Sequence, residues 1–171
     1  MRTELAPGFT LMELTIVIVI VGISAVVFAF AFRESMRAYE LIDTETDLAQ
    51  QARYAEERVT RHVLRTPTAG IRAASSTSIT LLDPDSSVIR IAWDGVKGSD
   101  LVLTRGGIAA PLASHVDSLA FTYHGTDGRP LAPGRAGSME LRRLRRVSMF
   151  LRLEQGGHAV AATGAAALRV P

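Results

Sequence analysis

Residues 8 to 32, GFTLMELTIVIVIVGISAVVFAFAF, constrain this chain more than any other stretch. After Phe9 they hold one charged residue, Glu13, and meet no other until Arg33. The 24 residues from Phe9 to Phe32, wound as a helix, cover the hydrocarbon thickness of a bilayer at about 1.5 Å per residue. The pattern therefore predicts a membrane-spanning helix. A carboxylate inside such a run costs roughly 2.5 to 3.5 kcal/mol near the bilayer centre and less near an interface, so Glu13 calls for a partner.

The rest of the chain reads as soluble protein. Hydrophobic residues make up 47% of the whole, and their excess is concentrated before residue 33. The 171 residues suffice for the span plus one compact domain, and no second globular domain is expected. With no cysteine there is neither a disulfide framework nor a thiolate metal site, and oxidising compartments stay open. The formal charge of +2 is uneven: the first 65 residues are slightly acidic and the remainder mildly basic. An ordinary secretory signal has a shorter apolar core followed by an A-x-A-like cleavage site, and here the apolar core runs too long for one. Arg2 is offset by Glu4, and Arg33, Glu34 and Arg37 are mixed in sign, so charge does not orient the span.

The stretch Gly8-Phe9-Thr10-Leu11-Met12-Glu13-Leu14, followed by an aliphatic run containing Gly22, resembles the prepilin N-terminus of the type IV pilins and type II secretion pseudopilins. The resemblance implies that a prepilin peptidase on the cytoplasmic side removes residues 1–8, a leader, cutting between Gly8 and Phe9, and that the new amino group of Phe9 is N-methylated. It also implies that Glu13, as fifth mature residue, meets the amino group of a neighbouring subunit in a filament of staggered helices. Farther along, Phe28-Ala-Phe-Ala-Phe-Arg33, Tyr39 and the helix ending Val63-Leu-Arg-Thr-Pro67 look most like the minor pilin of mannose-sensitive haemagglutinin biogenesis, and more loosely the PilW and pseudopilin J groups. Major pilins often carry a proline near the position of Phe30, and this chain has none between Phe9 and Thr66.

From Arg33 to Arg65 the sequence lacks Gly and Pro and then stops at Thr66-Pro67, which predicts that residues 33–66 continue the helix of residues 9–32. Apolar positions at Leu41, Leu48, Ala55 and at Ile42, Ala49, Val59, Val63 make a stripe for a sheet to pack on. Arg37, Glu40, Glu45, Arg53, Glu57 and Arg61 form the other, solvated face. Residues 70–171 form a β-rich domain. Alternation of period two predicts strands at 77–82, 88–93, 100–104, 116–124 and 147–153, with a less distinct edge strand at 159–170. Asp83-Pro-Asp-Ser86 and Arg105-Gly-Gly107 are turns, and residues 125–137, rich in Gly and Pro, form a long loop. The expected fold class is α+β: a long N-terminal helix with an antiparallel sheet on its C-terminal half, the ladle that the resemblance also implies.

Catalytic chemistry is not expected. His62, His115, His124 and His158 stand in separate contexts, and there is no H-E-x-x-H, phosphate-binding glycine loop or G-x-S-x-G elbow. His115 with Asp117 or His124 with Asp127 reads better as loop and strand-edge chemistry than as a ligand pair. Asp83, Asp85, Asp94 and Asp100 read as turn residues rather than a calcium site, since no EF-hand spacing is present. No cofactor is expected. Arg142, Arg143, Arg145 and Arg146, with Arg135 and Arg152, form the sharpest charge cluster, a basic patch that can grip phosphates. A solvated loop leading into the strand at Val147 is the reading preferred there, which leaves nucleic acid a disfavoured partner. The resemblance implies other partners: the inner membrane, prepilin peptidase, other pilin or pseudopilin subunits and assembly platform proteins. It implies a minor pilin, low in abundance, that primes or tips a filament. A pseudopilin of a type II secretion system, a DNA- or surface-binding pilin and a plainly anchored periplasmic domain are the alternatives.

Overall fold

In a computed structural model the chain is described over residues 10–134 and 143–168. Gly8, Phe9, Arg135, Arg142 and the side chains of Glu40 and Leu41 lie outside the described residues. One helix, α1 (Leu11–Arg65), is followed by an antiparallel sheet, an α+β layout as the pattern of periodicities predicts. The chain divides into two compact units, Met1–Asp43 and Thr44–Pro171, and the division falls inside α1. The first unit holds the apolar part of the helix and its charged continuation to Asp43, and the second combines residues 44–65 with the sheet.

Within the second unit, α1 buries Leu48, Ala52, Ala55, Val59 and Val63. The spacing of three and four keeps these side chains on one face, and the two alanines let the backbone come close to the sheet. Gln51 Oε1 accepts from the Ser114 backbone N–H at 3.0 Å and ties the helix to a strand. The helix ends where Thr66 donates from both N and Oγ1 to the His62 carbonyl, at 3.1 and 2.8 Å, and Pro67 prevents another turn. The expected stripe is therefore narrower than the sequence implied. Ile42 is 60% exposed and Ala49 only half-buried, because the buried line runs through Ala52 and Ala55 and leaves both to one side.

The sheet is a meander of β1 (Ile71–Ala74), β2 (Ser78–Leu82), β3 (Val88–Ala92), β4 (Ser99–Arg105), β5 (Ile108–Gly125), β6 (Pro130–Leu131), β7 (Leu144–Gln155) and β8 (His158–Ala167). Its spatial order is β1-β2-β3-β4-β5-β7-β8, with β6 on β5. β2, β3, the second half of β5 and β7 bury alternate residues: Ile79 and Leu81, Ile89 and Ile91, Phe121 and Tyr123, then Val147, Met149, Leu151 and Leu153. These strand positions and the helix stripe form one core, in which burying a Val, Leu or Ile side chain contributes about 1.5 to 3 kcal/mol. Tyr123 places its ring in that core and donates its hydroxyl to Ser75 O at 2.7 Å, the partner that a buried phenol requires.

Several elements differ from the sequence expectation. β1 was not anticipated, because IRAA has no clear alternation. β5 begins at Ile108 rather than 116 and runs 18 residues, its first part pairing with β4 and its second with β7. Bulges allow that change of partner: His115 has φ +58° and Asp117 is an extra residue opposite the step from Leu153 to Arg152. The 125–137 loop contains β6, whose Leu131 pairs with Tyr123. Two hairpins close on Gly106-Gly107 and Gly156-Gly157, all four with positive φ, as two-residue turns of this hand require.

Candidate membrane and assembly segment

From residue 14 to 32 the helix carries no charge, and apolar side chains cover it all round. Leu11 is 86% exposed and Phe32 69%, and every large apolar side chain between them is exposed as well. A continuous apolar surface of this length is a membrane or partner surface, not a solvated one. Its backbone polar groups are bonded within the helix, the condition for crossing lipid. One N-terminal helix is thus long and apolar enough to span a membrane.

Glu13 sits in the first turn. Thr10 Oγ1 accepts from the Glu13 backbone N–H at 3.3 Å, and Leu14 N donates to Thr10 O at 3.2 Å, which makes Thr10 the residue that caps the helix. Thr10 and Glu13 have the spacing of a capping box, a T-x-x-E signal legible in the sequence but not used there. The position favours a negative charge, because the free N–H groups of the first turn carry the positive end of the helix dipole. No ion pair reaches Glu13 among the described residues. Thr15, the next polar side chain, donates to Leu11 O at 2.8 Å and so carries no unmet hydroxyl into the apolar run. Past Arg33, Arg37 and Glu34 approach to 3.6 Å in an exposed pair worth about 0 to 1 kcal/mol.

In the sheet unit the polar side chains sort into local networks. Arg105 reaches from β4 across the β2–β3 turn, donating Nε–H to Ser87 Oγ at 3.1 Å and pairing with Asp83 and Asp85. The Ser87 hydroxyl and amide, with Arg105, hold the Asp85 carboxyl down to about 2. Asp94 is lowered by the Ser99 hydroxyl in the turn before β4. Asp100 lies inside β4, as the strand expected at 100–104 has it, which corrects its place among the turn residues. Asp117 takes Lys97 at 2.7 Å and Arg152 at 3.4 Å, which lowers its carboxyl and raises the lysine. No three His, Asp or Glu side chains converge as a metal site among the described residues. His124 Nδ1 faces Gly128 O at 3.3 Å, and His158 Nδ1 lies 3.1 Å from Glu45.

Two of the clustered arginines lie in a strand rather than in the expected loop. Arg145 and Arg146 belong to β7, and the register steps from Gly125↔Leu144 to His124↔Arg146, which makes Arg145 the extra residue of a bulge. Strand geometry therefore separates the cations: Arg146 is on the exposed face, Arg145 is half-buried with Nη1 donating to Leu144 O at 3.1 Å, and exposed Arg143 precedes the strand. Arg143, Arg145 and Arg146, adjacent in sequence, therefore do not share one face, and Arg142 lies outside the described residues.

His62 is a polar group that the sequence did not distinguish. It is 7% exposed, on the helix face against the sheet, and Nδ1 has no partner among the described residues. Burial lowers its pKa below 6.5, Asp83 opposes the shift, and Arg58, Arg105 and Arg65 add to it. The folded state thus holds the ring neutral, and between the lowered value and 6.5 the unfolded chain binds more protons. Stability should rise with pH through that window and fall on acidification. The expected result is a melting midpoint that drops as pH is lowered below about 6.5, with the drop reduced in His62→Gln. Equal pH slopes for both proteins would remove His62 as the cause. Asp85, Asp94 and Asp117, all lowered, act in a separate window below the ordinary carboxylate range.

No protein-family model and no curated protein matches this sequence.

Proposed function

We propose that the chain is a non-enzymatic structural subunit, a minor pilin of a type IV pilus that acts in assembly or at the tip. The observation that carries this reading is a single carboxylate, Glu13, in the first turn of an otherwise uncharged, wholly exposed apolar helix of bilayer length. In the proposal, prepilin peptidase removes residues 1–8, Phe9 becomes the N-methylated first residue, and the helix holds the subunit in the inner membrane with the sheet unit in the periplasm. The Phe9 ammonium of one subunit then meets Glu13 of the next. Two unit charges about 4 Å apart at an effective dielectric near 20 attract by about 4 kcal/mol, comparable to the cost of placing the carboxylate in lipid. Leaving the membrane for the filament is thereby favoured by the group that made membrane residence costly.

The test is the mature N-terminus of protein recovered from cells with an active prepilin peptidase. Mass spectrometry should find a chain that starts at Phe9 with one added methyl group. An intact Met1, or a cut at another bond, would show a plain anchor instead. Pseudopilins of type II secretion share this processing, so the experiment addresses the family, and the genes beside this one separate the two machines.

A further inference from the structure

His62 stands in the last turn of α1, where the helix end meets the β2–β3 turn. The residue is 7% exposed, and its Nδ1 is enclosed without a partner among the described residues. Its carbonyl accepts both bonds that end the helix, from Thr66 N at 3.1 Å and Thr66 Oγ1 at 2.8 Å, and Thr66 is itself buried. The chain then turns so closely that a Cβ at Gly70 would come within 2.9 Å of Thr66 Cγ2 and 3.0 Å of Leu82 O. The helix end, the turn after it and the end of β2 thus form one tight contact.

Charged groups face the ring from three elements. Arg58 and Arg65 come from α1 itself, Asp83 from the turn after β2, and Arg105 from β4. Asp83 is the one carboxylate among them; it is buried, and Arg105 Nη2 already approaches it at 3.4 Å. A proton on His62 would therefore set an imidazolium among three arginines, with a single carboxylate that is shared. An enclosed charge without a partner of its own is strongly unfavourable, so the protonated ring favours water. Water is near: a cleft of about 440 Å3, lined by Leu64, Arg65, Asp83, Pro84, Asp85 and Arg105, opens beside this contact. The earlier turns bury Leu48, Ala52, Ala55 and Val59 against the sheet, and protons leave that apolar packing unchanged.

We infer that His62 is a proton-operated latch: with a neutral ring the last turn of α1 stays closed on the β2–β3 turn, and uptake of one proton opens that contact while the rest of the sheet unit stays folded. The ring then leaves for the cleft, and the segment from His62 to β1 loosens with it, a local opening of the kind that proteins undergo below their global stability. The closed contact holds the ring below its ordinary value of 6.5, so between the lowered value and 6.5 the open form binds the extra proton. Opening therefore grows as pH falls through that window, by at most about ten-fold per pH unit for one proton, and is unchanged by pH above it. The inference uses only the sheet unit and stands apart from the pilin reading.

The test is amide hydrogen exchange of the full chain in detergent, on both sides of the window, with the pH dependence of intrinsic exchange divided out. Below the ordinary histidine value, residues 62–72 and 82–90 should lose protection several-fold or more, while residues 147–153 of β7 keep theirs. In His62→Gln, whose side chain cannot take the proton, the two segments should hold their protection across the same range. A second measurement needs only the parent chain: exchange at the imidazole C2–H, read by mass spectrometry for each histidine, should show His62 titrating where the two segments open. Protection that is unchanged by acid in the parent, lost equally in β7, or lost equally in His62→Gln would overturn the latch, and so would a His62 ring that titrates outside the range in which the segments open.

Discussion

A Glu13→Ala chain is expected to insert in the membrane normally and to be lost from the filament. Removing the carboxylate removes an insertion cost of up to roughly 2.5 to 3.5 kcal/mol, so membrane residence cannot suffer. In the proposed filament it also removes an attraction of about 4 kcal/mol to the neighbouring amine, and since about 1.4 kcal/mol is a factor of ten, incorporation should fall by ten-fold or more even after partial screening. The measurement compares the variant in membrane and sheared-filament fractions. Glu13→Asp, which keeps the charge but shortens the arm, should retain part of the function. Incorporation of Glu13→Ala at the normal level would end the ion-pair account. The geometry bears on the size of the effect: Thr10 caps the turn in which Glu13 sits, so the alanine chain keeps its Thr10 cap and loses the charge.

The second large effect is expected at the contact between helix and sheet. Ala55 is fully buried on α1, in line with Leu48, Ala52, Val59 and Val63. Ala55→Asp would place an unpaired carboxylate in that seam, at a penalty of several kcal/mol, against a total stability of about 5 to 15 kcal/mol for a domain. The sheet unit should lose its cooperative melting transition and become sensitive to protease, in the full chain held in detergent. Tyr54→Asp is the control on the adjacent position: Tyr54 is 50% exposed, and a carboxylate there should shift the midpoint little. If both variants melt like the parent, residues 44–65 are not packed as the burial indicates.

Parts of this fold were legible in the sequence because local chemistry decides them. The helix stop at Thr66-Pro67 follows from the proline's missing N–H and appears as a helix ending at Arg65. The hairpin of β2 and β3 follows from alternation on both sides of Asp83-Pro-Asp-Ser86. Glu13 was conspicuous because a charge in an apolar run is costly. Other parts were not legible. β1 and the first third of β5 lack alternation, since β1 is short and irregular in register and β5 changes partners at a bulge. The arginines before Val147 looked like a loop, because charge density hid a strand whose inward positions are Leu144 and Val147. His62 looked like any helix histidine until the sheet covered it.

The sequence by itself determined a bilayer-length helix headed by one carboxylate, a helical continuation that ends at a proline, and an antiparallel sheet behind it. These depend on periodicity, length and the chemistry of single residues, which act over a few neighbours. Only the tertiary structure decided which helix residues meet the sheet, where β5 changes partner, that the arginine cluster is divided by a bulge, and that β8 is left as a long uncharged edge. Each of those depends on pairing between residues far apart in the chain. Which N–H and C=O groups find partners is fixed by the order and register of the strands, which no local pattern contains.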